Sequence, residues 1–255
     1  MSEEWRLLDT GAHDAYYNMG LDEAIATARS KNLVPNTIRF FRWKPSAVSI
    51  GYFQSMEDEV DIAACKSNGV DYVRRITGGG AVYHDYDGEL TYSIIMNQEH
   101  KLVPRDIQRS YGVLCSGLTK GLKLLGIPAE FKPINDIVAG GRKISGNAQT
   151  RRIGVVHQHG TILREVDPAL MFKLLRVPSE KIRDKLIKTV KDRVTSVNSS
   201  LEREMSFQEL KEAIQRGFEE ALRIRLANGK VTSYEEELAI KLREKYASKE
   251  WSFKR

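Results

Sequence analysis

Helical spacing of apolar residues is the strongest pattern in the chain. Apolar residues recur three and four positions apart over 14–30 and 106–125, and Asp14 and Asp106 stand before these stripes as N-caps. A third stripe follows the capping-box sequence SFQE at 206–209. The spacing predicts a helix in each of these three places. Weaker patterns predict further helices over the following ranges: 57–67, 168–193 and about 233–247.

Runs rich in β-forming residues alternate with the predicted helices in the first two thirds of the chain. A turn at 44–46 divides the run at 37–53, and Gly140-Gly141 marks a hairpin turn within 134–149. The other β-rich runs are 70–75, 90–96 and 153–163. This order of elements predicts an α+β fold in which helices flank a mixed sheet.

The C-terminal third differs from the rest of the chain in pattern and in charge. After Leu163 the pattern is helical, which allows either one domain over 1–255 or an added small helical subdomain over 178–255. Residues 1–100 carry 9 Lys/Arg and 15 Asp/Glu, a sum of −6, whereas residues 101–255 carry 31 and 19, a sum of +12. A basic half attracts anions, which leaves nucleic acid, nucleotide phosphates or an acidic protein as candidate partners.

Nucleic-acid binding is one reading of the most basic segment. Residues 173–193 include 8 basic and 3 acidic residues, but few aromatic residues that could stack on bases. No helix-turn-helix or zinc-finger signature accompanies the segment. We therefore expect no nucleic-acid partner, and a milder use of this surface is the docking of an acidic protein domain.

Composition excludes several classes of protein. Hydrophobic residues make up 41% and charged residues 29% of the 255 residues, which is the balance of a folded globular chain. No apolar run approaches the ~20 residues needed to cross a bilayer, and the acidic N-terminus lacks the apolar stretch of a signal peptide. The two cysteines, Cys65 and Cys115, do not make a disulfide framework. We expect a cytoplasmic protein without a membrane partner, and we place Cys115 in the core.

A glycine-rich loop lies between two β-rich runs, in the sequence RRITGGGAVYHD at 74–85. The glycines of Gly78-Gly79-Gly80 allow positive φ, so that their N–H groups can point together at an anion. Arg75 can bind phosphate with two hydrogen bonds, and His84 can line the same site. The loop has neither the Walker A sequence nor the dinucleotide fingerprint. It fits a phosphate or adenylate site, and the alternative is a flexible connection between strands.

A second cluster of polar residues lies in the predicted hairpin NDIVAGGRKISGNAQ at 135–149. Cross-strand pairing brings Asp136 near Lys143, and Lys143 and Ser145 are expected on one face of their strand. Asp136 could hold Mg²⁺, while Lys143 could neutralise charge that develops on a phosphate. The alternative is a surface ion pair of little energetic value.

Two histidines, His157 and His159, alternate along the last predicted strand. Alternate residues share a face, so that both imidazoles could bind one metal ion. No third ligand is evident nearby in the sequence. A structural role or a place in the lining of a substrate site is therefore the preferred interpretation.

The two motifs at 74–85 and 135–149, in this order and separation, resemble those of the lipoate–protein ligase A family. The resemblance extends over most of the chain and includes HQHGTIL at 157–163, FFRWKPSAVSIGYFQ at 40–54 and the stretch 177–197. It implies the fold of biotin protein ligases and class II aminoacyl-tRNA synthetases. It also implies that the chain adenylates lipoate or octanoate with ATP and Mg²⁺. The acyl group would then pass to a lysine of a lipoyl domain in a 2-oxoacid dehydrogenase complex or in the glycine cleavage H protein.

The same resemblance assigns roles to individual residues. Lys143 is the expected catalytic residue, in contact with the α-phosphate and the lipoyl carboxylate, and Asp136 is the expected Mg²⁺ ligand. The residues expected to bind the nucleotide are Arg75, Gly78, Gly79, Gly80, Ala81, Val82, Tyr83, His84, Lys143 and Gly146.

An alternative within the resemblance is an octanoyl or lipoyl transferase that takes the acyl group from an acyl-carrier thioester without ATP. Related octanoyltransferases use a cysteine shortly before the lysine motif, but residues 129–134 read AEFKPI here. This absence favours the ligase, although NAQTRRIGVVHQHGTIL at 147–163 also resembles the transferase branch. Many ligases carry a further C-terminal domain, so a separate accessory subunit is an additional expected partner.

Overall fold

The computed structural model describes residues 2–177 and 179–254, and it interleaves strands with helices as the hydrophobic pattern predicts. The strands are β1 (Glu3–His13), β2 (Thr37–Trp43), β3 (Ala47–Ile50), β4 (Asp71–Arg74), β5 (Val82–His84), β6 (Glu89–Asn97), β7 (Ala129–Lys132), β8 (Asp136–Ala139), β9 (Arg142–Arg152), β10 (Val155–Leu163) and β11 (Ile224–Asn228). The helices are α1 (Ala15–Ser30), α2 (Met56–Glu59), α3 (Ile62–Ser67), α4 (Ile107–Leu124), α5 (Pro168–Leu174), α6 (Glu180–Arg193), α7 (Val197–Leu201), α8 (Phe207–Leu222), α9 (Ser233–Ala247) and α10 (Lys249–Ser252).

The strands form a large mixed sheet and a small one. The large sheet has the order β11-β1-β2-β6-β10-β9-β8-β7, in which β1 pairs in parallel with both β11 and β2. The pairings from β2 through β6, β10, β9 and β8 to β7 are antiparallel. The small sheet has the order β4-β3-β5. The predicted α+β class, with helices flanking a mixed sheet, is confirmed.

Alternation along the central strands sends neighbouring residues to opposite faces of the large sheet. Leu7 and Ile94 pack on one face in the core cluster that includes residues of α4 and α8. Leu8 and Ile95 pack on the other face with residues of α1 and α9. Each face is therefore covered by a pair of helices, and this fixes the middle of the sheet between two apolar layers.

The helix boundaries follow the caps identified in the sequence. The side chains of Asp14, Asp106 and Ser206 accept hydrogen bonds from backbone N–H groups in the first turns of α1, α4 and α8. The predicted helix over 57–67 is instead two short helices, because Asp61 leaves the helical conformation and caps α3. The long helical segment after Leu163 likewise divides into α5 and α6.

The sequence left open whether residues 178–255 form an added helical subdomain or belong to one domain over 1–255. Residue 178 itself lies outside the described part of the chain. Strand β11 adds to the edge of the large sheet beside β1, and Ile224 and Leu226 point into the main core. Helix α8 contributes Phe218 to the same core. The five-residue β11 follows α8 directly, and without a glycine or proline break the sequence pattern gave no sign of it. Across the described residues, no helix combines the length and the apolar character that crossing a bilayer requires.

Candidate active site

A cavity of about 340 Å³ lies between the glycine-rich loop, the β9–β10 pair and the segment from α5 to α6. A cavity of this size can take a small ligand or an acyl chain. Its apolar walls include Met19, Trp43, Val82, Leu163, Met171, Val190 and Val194. The sequence-predicted residues that line it are Arg75, Gly79, Gly80, Ala81, Val82, Tyr83, His84, Lys143 and Gly146. Gly78 and Asp136 are not among its lining residues.

Arg75 organises the glycine-rich loop from beneath. Its Nε donates to Thr77 Oγ1 at 3.1 Å, and its Nη2 donates to the carbonyl oxygens of Gly78 and Gly80, both at 2.8 Å. Its Nη1 donates to the carbonyl oxygen and to Oγ of Ser49, at 3.2 and 3.1 Å. A guanidinium has five N–H groups, and all five are used here. Burial lowers the pKa of Arg75 to about 10. The expected role as a phosphate-binding arginine therefore does not fit the side chain as it is placed.

The loop backbone meets the expectation of positive φ at one of its three glycines. Gly79 has φ of +99°, whereas Gly78 and Gly80 are not among the glycines with positive φ. A Cβ atom on Gly79 would also lie 2.8 Å from Arg75 Nη2. The loop therefore requires glycine at position 79 for both its conformation and its contact with the arginine.

Lys143 and Asp136 form the predicted cross-strand ion pair. Lys143 Nζ lies 2.7 Å from Asp136 Oδ1, and their side chains are 42% and 34% exposed. An exposed pair of this kind contributes about 0–1 kcal/mol, so Lys143 can turn towards a ligand at little cost. A bulge between β8 and β9 shifts the register, and a Cβ atom on Gly146 would lie 2.8 Å from Lys143 Nζ. Lys143 therefore shares a face with Gly146, and the prediction that it shares a face with Ser145, which is fully buried, is wrong.

His84 lies at the centre of a buried chain of hydrogen bonds that lines the cavity. His84 Nδ1 is 2.8 Å from Glu89 Oε1, and His84 Nε2 is 2.8 Å from Ser49 Oγ. The indole of Trp43 stacks on the imidazole, with centroids 4.1 Å apart and planes at 15°. Thr91 donates to Glu89 Oε1 at 2.6 Å. These four residues and Ser49 are all cavity-lining residues, and sequence reasoning identified His84 alone among them.

The two histidines of β10 meet a carboxylate that the sequence did not suggest. Asp22 of α1 lies 3.2 Å from His157 Nε2 and 3.7 Å from His159 Nδ1, through its Oδ2. Its Oδ1 accepts a 2.8 Å hydrogen bond from buried Arg39. Two imidazoles and a carboxylate match the donor set of a transition-metal site, but the guanidinium already neutralises the carboxylate. Burial lowers the pKa of His159 to about 4, so this imidazole is neutral, and its Nε2 lies 2.7 Å from Thr77 Oγ1.

Neither cysteine belongs to the site. Cys65 and Cys115 are both fully buried and do not line the cavity. Burial raises the pKa of Cys65 to about 11 and that of Cys115 to about 12, so both are protonated thiols at neutral pH. The predicted core position of Cys115 is confirmed.

Acidic side chains outnumber basic ones along the cavity. The acidic lining residues are Asp85, Glu89, Glu165 and Asp167, and the basic ones are Arg75 and Lys143. Burial raises the pKa of Asp85. A bound triphosphate would have to lie among these carboxylates, with the donors of Arg75 already used. The described lining therefore offers few groups that could neutralise the charge of a triphosphate.

Comparison with known proteins identifies the family. A model of the lipoyl protein ligase A/B catalytic domain matches residues 14–219. The chain belongs to this family. The resemblance stated from the motifs is therefore confirmed.

Curated relatives and solved structures agree on the scaffold. The chain is 39% identical to octanoyltransferase LipM of Geobacillus kaustophilus strain HTA426 and 35% identical to that of Bacillus subtilis strain 168, in each case over 99% of both chains. A bi-partite lipoate protein ligase from Thermoplasma acidophilum is similar with a TM-score of 0.88, at 33% identity over 98% of this chain and 96% of that one. A lipoate-protein ligase A structure with bound ATP has a TM-score of 0.82, at 32% identity over 98% of each chain.

These findings contradict the expectation of an ATP-dependent lipoate–protein ligase. The curated relatives that match nearly the whole chain are octanoyltransferases, which is the activity of the alternative reading. The choice of the ligase over the transferase rested on the missing cysteine at 129–134, whereas the transferase-like sequence at 147–163 was the better guide.

Proposed function

We propose that the chain is an octanoyl or lipoyl transferase, which moves an acyl group from an acyl-carrier thioester to a lysine of a lipoyl domain. The observation that carries this proposal is the similarity to octanoyltransferases along the full length of both chains. The acceptors would be lipoyl domains of 2-oxoacid dehydrogenase complexes or the glycine cleavage H protein. The reaction needs neither ATP nor Mg²⁺, and it needs no accessory subunit for adenylation.

The charge and shape of the cavity support this reaction. An acyl thioester is uncharged and apolar, which suits walls built from residues such as Trp43, Val82 and Met171. Its carbonyl carbon accepts a nucleophile, and a single negative charge then develops on the carbonyl oxygen. One cation is enough to stabilise that charge. Lys143 lines the cavity, and its exposed ion pair with Asp136 is weak enough for the lysine to turn towards the substrate. Lys143 is therefore the proposed catalytic residue.

The remaining site residues have supporting roles in this proposal. The segment Gly79–Tyr83 and Gly146 would form the walls against which the acyl chain and its carbonyl are held. Gly78 would act through its carbonyl, which accepts from Arg75 and fixes the loop. Asp136 would hold Lys143 in place until the substrate arrives, rather than bind a metal ion.

The test is octanoylation of a purified lipoyl domain, followed by intact-mass spectrometry. The full chain is incubated with octanoyl-acyl carrier protein and the lipoyl domain in EDTA, without ATP. We expect the mass gain of one octanoyl group, and we expect Lys143→Ala to lower kcat/KM by about 10²–10³-fold. Lys120→Ala is the matched control, because Lys120 forms a similar half-exposed pair with Glu220 at 3.0 Å away from the cavity. Modification that occurs only with ATP and free octanoate would refute the proposal.

A further inference from the structure

We propose that Ser49, with His84 and Glu89, carries the acyl group as a serine ester between the two halves of the transfer. This inference rests on the proposed transferase function and adds the group that holds the acyl chain. It starts from a difficulty that the structure creates: the two cysteines of the chain are buried away from the cavity as protonated thiols. A thioester enzyme intermediate therefore has no accessible thiolate on which to form.

The three side chains have the geometry of a nucleophile, a base and an orienting acid. Glu89 Oε1 can only accept when ionised, so His84 Nδ1 carries the proton of their 2.8 Å hydrogen bond. With Nδ1 as the donor to Glu89, Nε2 is the ring nitrogen that can accept from the Ser49 hydroxyl, at 2.8 Å. Such an arrangement is recognised by its geometry on unrelated folds, whatever the order of the residues in the chain.

Two neighbours reinforce this arrangement. Arg75 Nη1 donates to Ser49 Oγ at 3.1 Å, which directs the hydroxyl proton towards His84 and places a positive charge beside the oxygen as it ionises. The stacked indole of Trp43 prevents the imidazole from tilting away from the serine. In this series of hydrogen bonds, Arg75 therefore donates to Ser49, and Ser49 donates to His84.

Two features distinguish this group from an ordinary structural hydrogen-bond network: its buried residues line the cavity, and one carboxylate oxygen is unpaired. Ser49 is 1%, His84 5% and Glu89 1% exposed, yet all three line the same cavity as Lys143. Glu89 Oε2 is buried with no hydrogen-bond partner in the described structure. An unpaired buried carboxylate oxygen opposes folding, and a role in orienting a catalytic base would explain why a carboxylate stands at this position.

The chemistry balances in two steps. In the first, Ser49 Oγ attacks the thioester carbonyl carbon, its proton moves to His84 Nε2, the C–S bond breaks, and the carrier thiol leaves with that proton. In the second, the uncharged amine of the acceptor lysine attacks the ester carbonyl and gives a proton to His84 Nε2. The C–Oγ bond then breaks, and Ser49 recovers its hydrogen. Glu89 is a positioning residue in both steps, since it fixes the tautomer of His84.

The first experiment tests the nucleophile without any carrier protein. The full chain is treated with a long-chain alkyl fluorophosphonate, which modifies activated serine hydroxyls, and the modified peptide is located by mass spectrometry. We expect labelling at Ser49, no labelling at that position in Ser49→Ala, and at least ~10²-fold slower labelling in Glu89→Gln. Ser145→Ala is the matched control, because Ser145 is a buried strand serine outside the cavity lining. Labelling of other serines with Ser49 untouched would overturn the proposal.

The second experiment measures octanoyl transfer from the acyl carrier protein. Ser49→Ala and His84→Gln should each lower kcat/KM by about 10³-fold or more, and the double variant should be no slower than either, because the two groups act as a unit. The wild-type chain should give an acyl-enzyme mass that Ser49→Ala lacks. Full transfer activity in Ser49→Ala would overturn the serine intermediate and leave the transferase function standing. Labelling at Ser49 without any transfer from the carrier would instead retain the nucleophile and refute the proposed function.

Discussion

The buried Arg39–Asp22 pair gives the sharpest prediction about stability. Arg39 and Asp22 are 0% and 1% exposed, and Arg39 Nη1 lies 2.8 Å from Asp22 Oδ1. Removal of one partner from a buried pair leaves an uncompensated charge, which costs about 3–5 kcal/mol of unfolding free energy. Arg39→Met keeps the length of the side chain and removes its charge. We expect a loss in this range, with Asp22→Asn in the same chain recovering part of it, because the amide removes the charge and can still accept a hydrogen bond from His157.

Urea unfolding followed by circular dichroism measures the effect. With an m-value of about 3 kcal/mol/M, a loss of 3–5 kcal/mol lowers the midpoint by about 1 M or more. Arg225→Met is the matched control, because Arg225 and Glu4 form an exposed pair, and we expect it to change stability by less than about 1 kcal/mol. A loss below about 1 kcal/mol in Arg39→Met would refute the reasoning, since the pair would then behave like one at the surface.

The pH dependence of the unfolding free energy provides a second, independent test of the Arg39–Asp22 pair. Burial by itself raises the pKa of Asp22, but the charge of Arg39, a hydrogen bond from His157 and the nearby imidazole of His159 outweigh it and hold the pKa well below its usual value. The stability that Asp22 contributes is therefore present above its unfolded pKa of about 3.9, and it is lost as pH falls through the lower folded value. In Arg39→Met the burial is no longer opposed by the guanidinium. The folded pKa should rise, and the deficit relative to wild type should shrink as pH is lowered from 7 towards 5.

Three further predictions concern packing and the site. Gly79→Val should reduce kcat/KM for octanoyl transfer by at least ~10-fold, because valine does not adopt a φ of +99°, and unchanged kinetics would refute a fixed loop. Gly217→Ala should destabilise the chain by about 1–3 kcal/mol in a thermal melt, since its Cβ would lie 2.3 Å from the carbonyl oxygen of Gly117, where α8 crosses α4. Replacement of both Cys65 and Cys115 by alanine should leave octanoyl transfer within about 3-fold of wild type, and its loss would implicate a thiol.

Most of the fold could be predicted because its elements carry local signals. Helix α9 was placed at its observed bounds and α4 to within one residue at either end, since each has a cap and either an apolar stripe or a clear stop. Strand β11 could not be predicted, because its partner β1 is more than two hundred residues earlier and five residues carry little periodicity. The three-residue strand β5 was also missed, because three residues carry no periodicity and the strand forms only where β3 lies beside it.

The site was predictable only where its residues are neighbours in the chain. Lys143 and Asp136 lie in one hairpin, so turn chemistry alone brings them together. Ser49 and Glu89 reach His84 through the pairing of β3 with β5 and the return of the chain into β6, which no local pattern specifies. A signal was nevertheless present, because Glu89 is a carboxylate at the first position of the long and mostly apolar strand β6. A charged residue at such a position has to be either solvated or paired.

The uneven distribution of charge along the chain can be related to the position of the cavity. The cavity is lined by more carboxylates than cations, whereas the chain outside it is basic, with 8 basic and 3 acidic residues over 173–193. Helix α6 lies in this segment, and Val190 and Val194 at its end line the cavity. A basic surface beside an acidic interior would attract an acidic carrier or lipoyl domain while rejecting free anions from the site itself. On the proposed function, surface charge would therefore select the protein that bears the acyl group, and the apolar walls would select the acyl group.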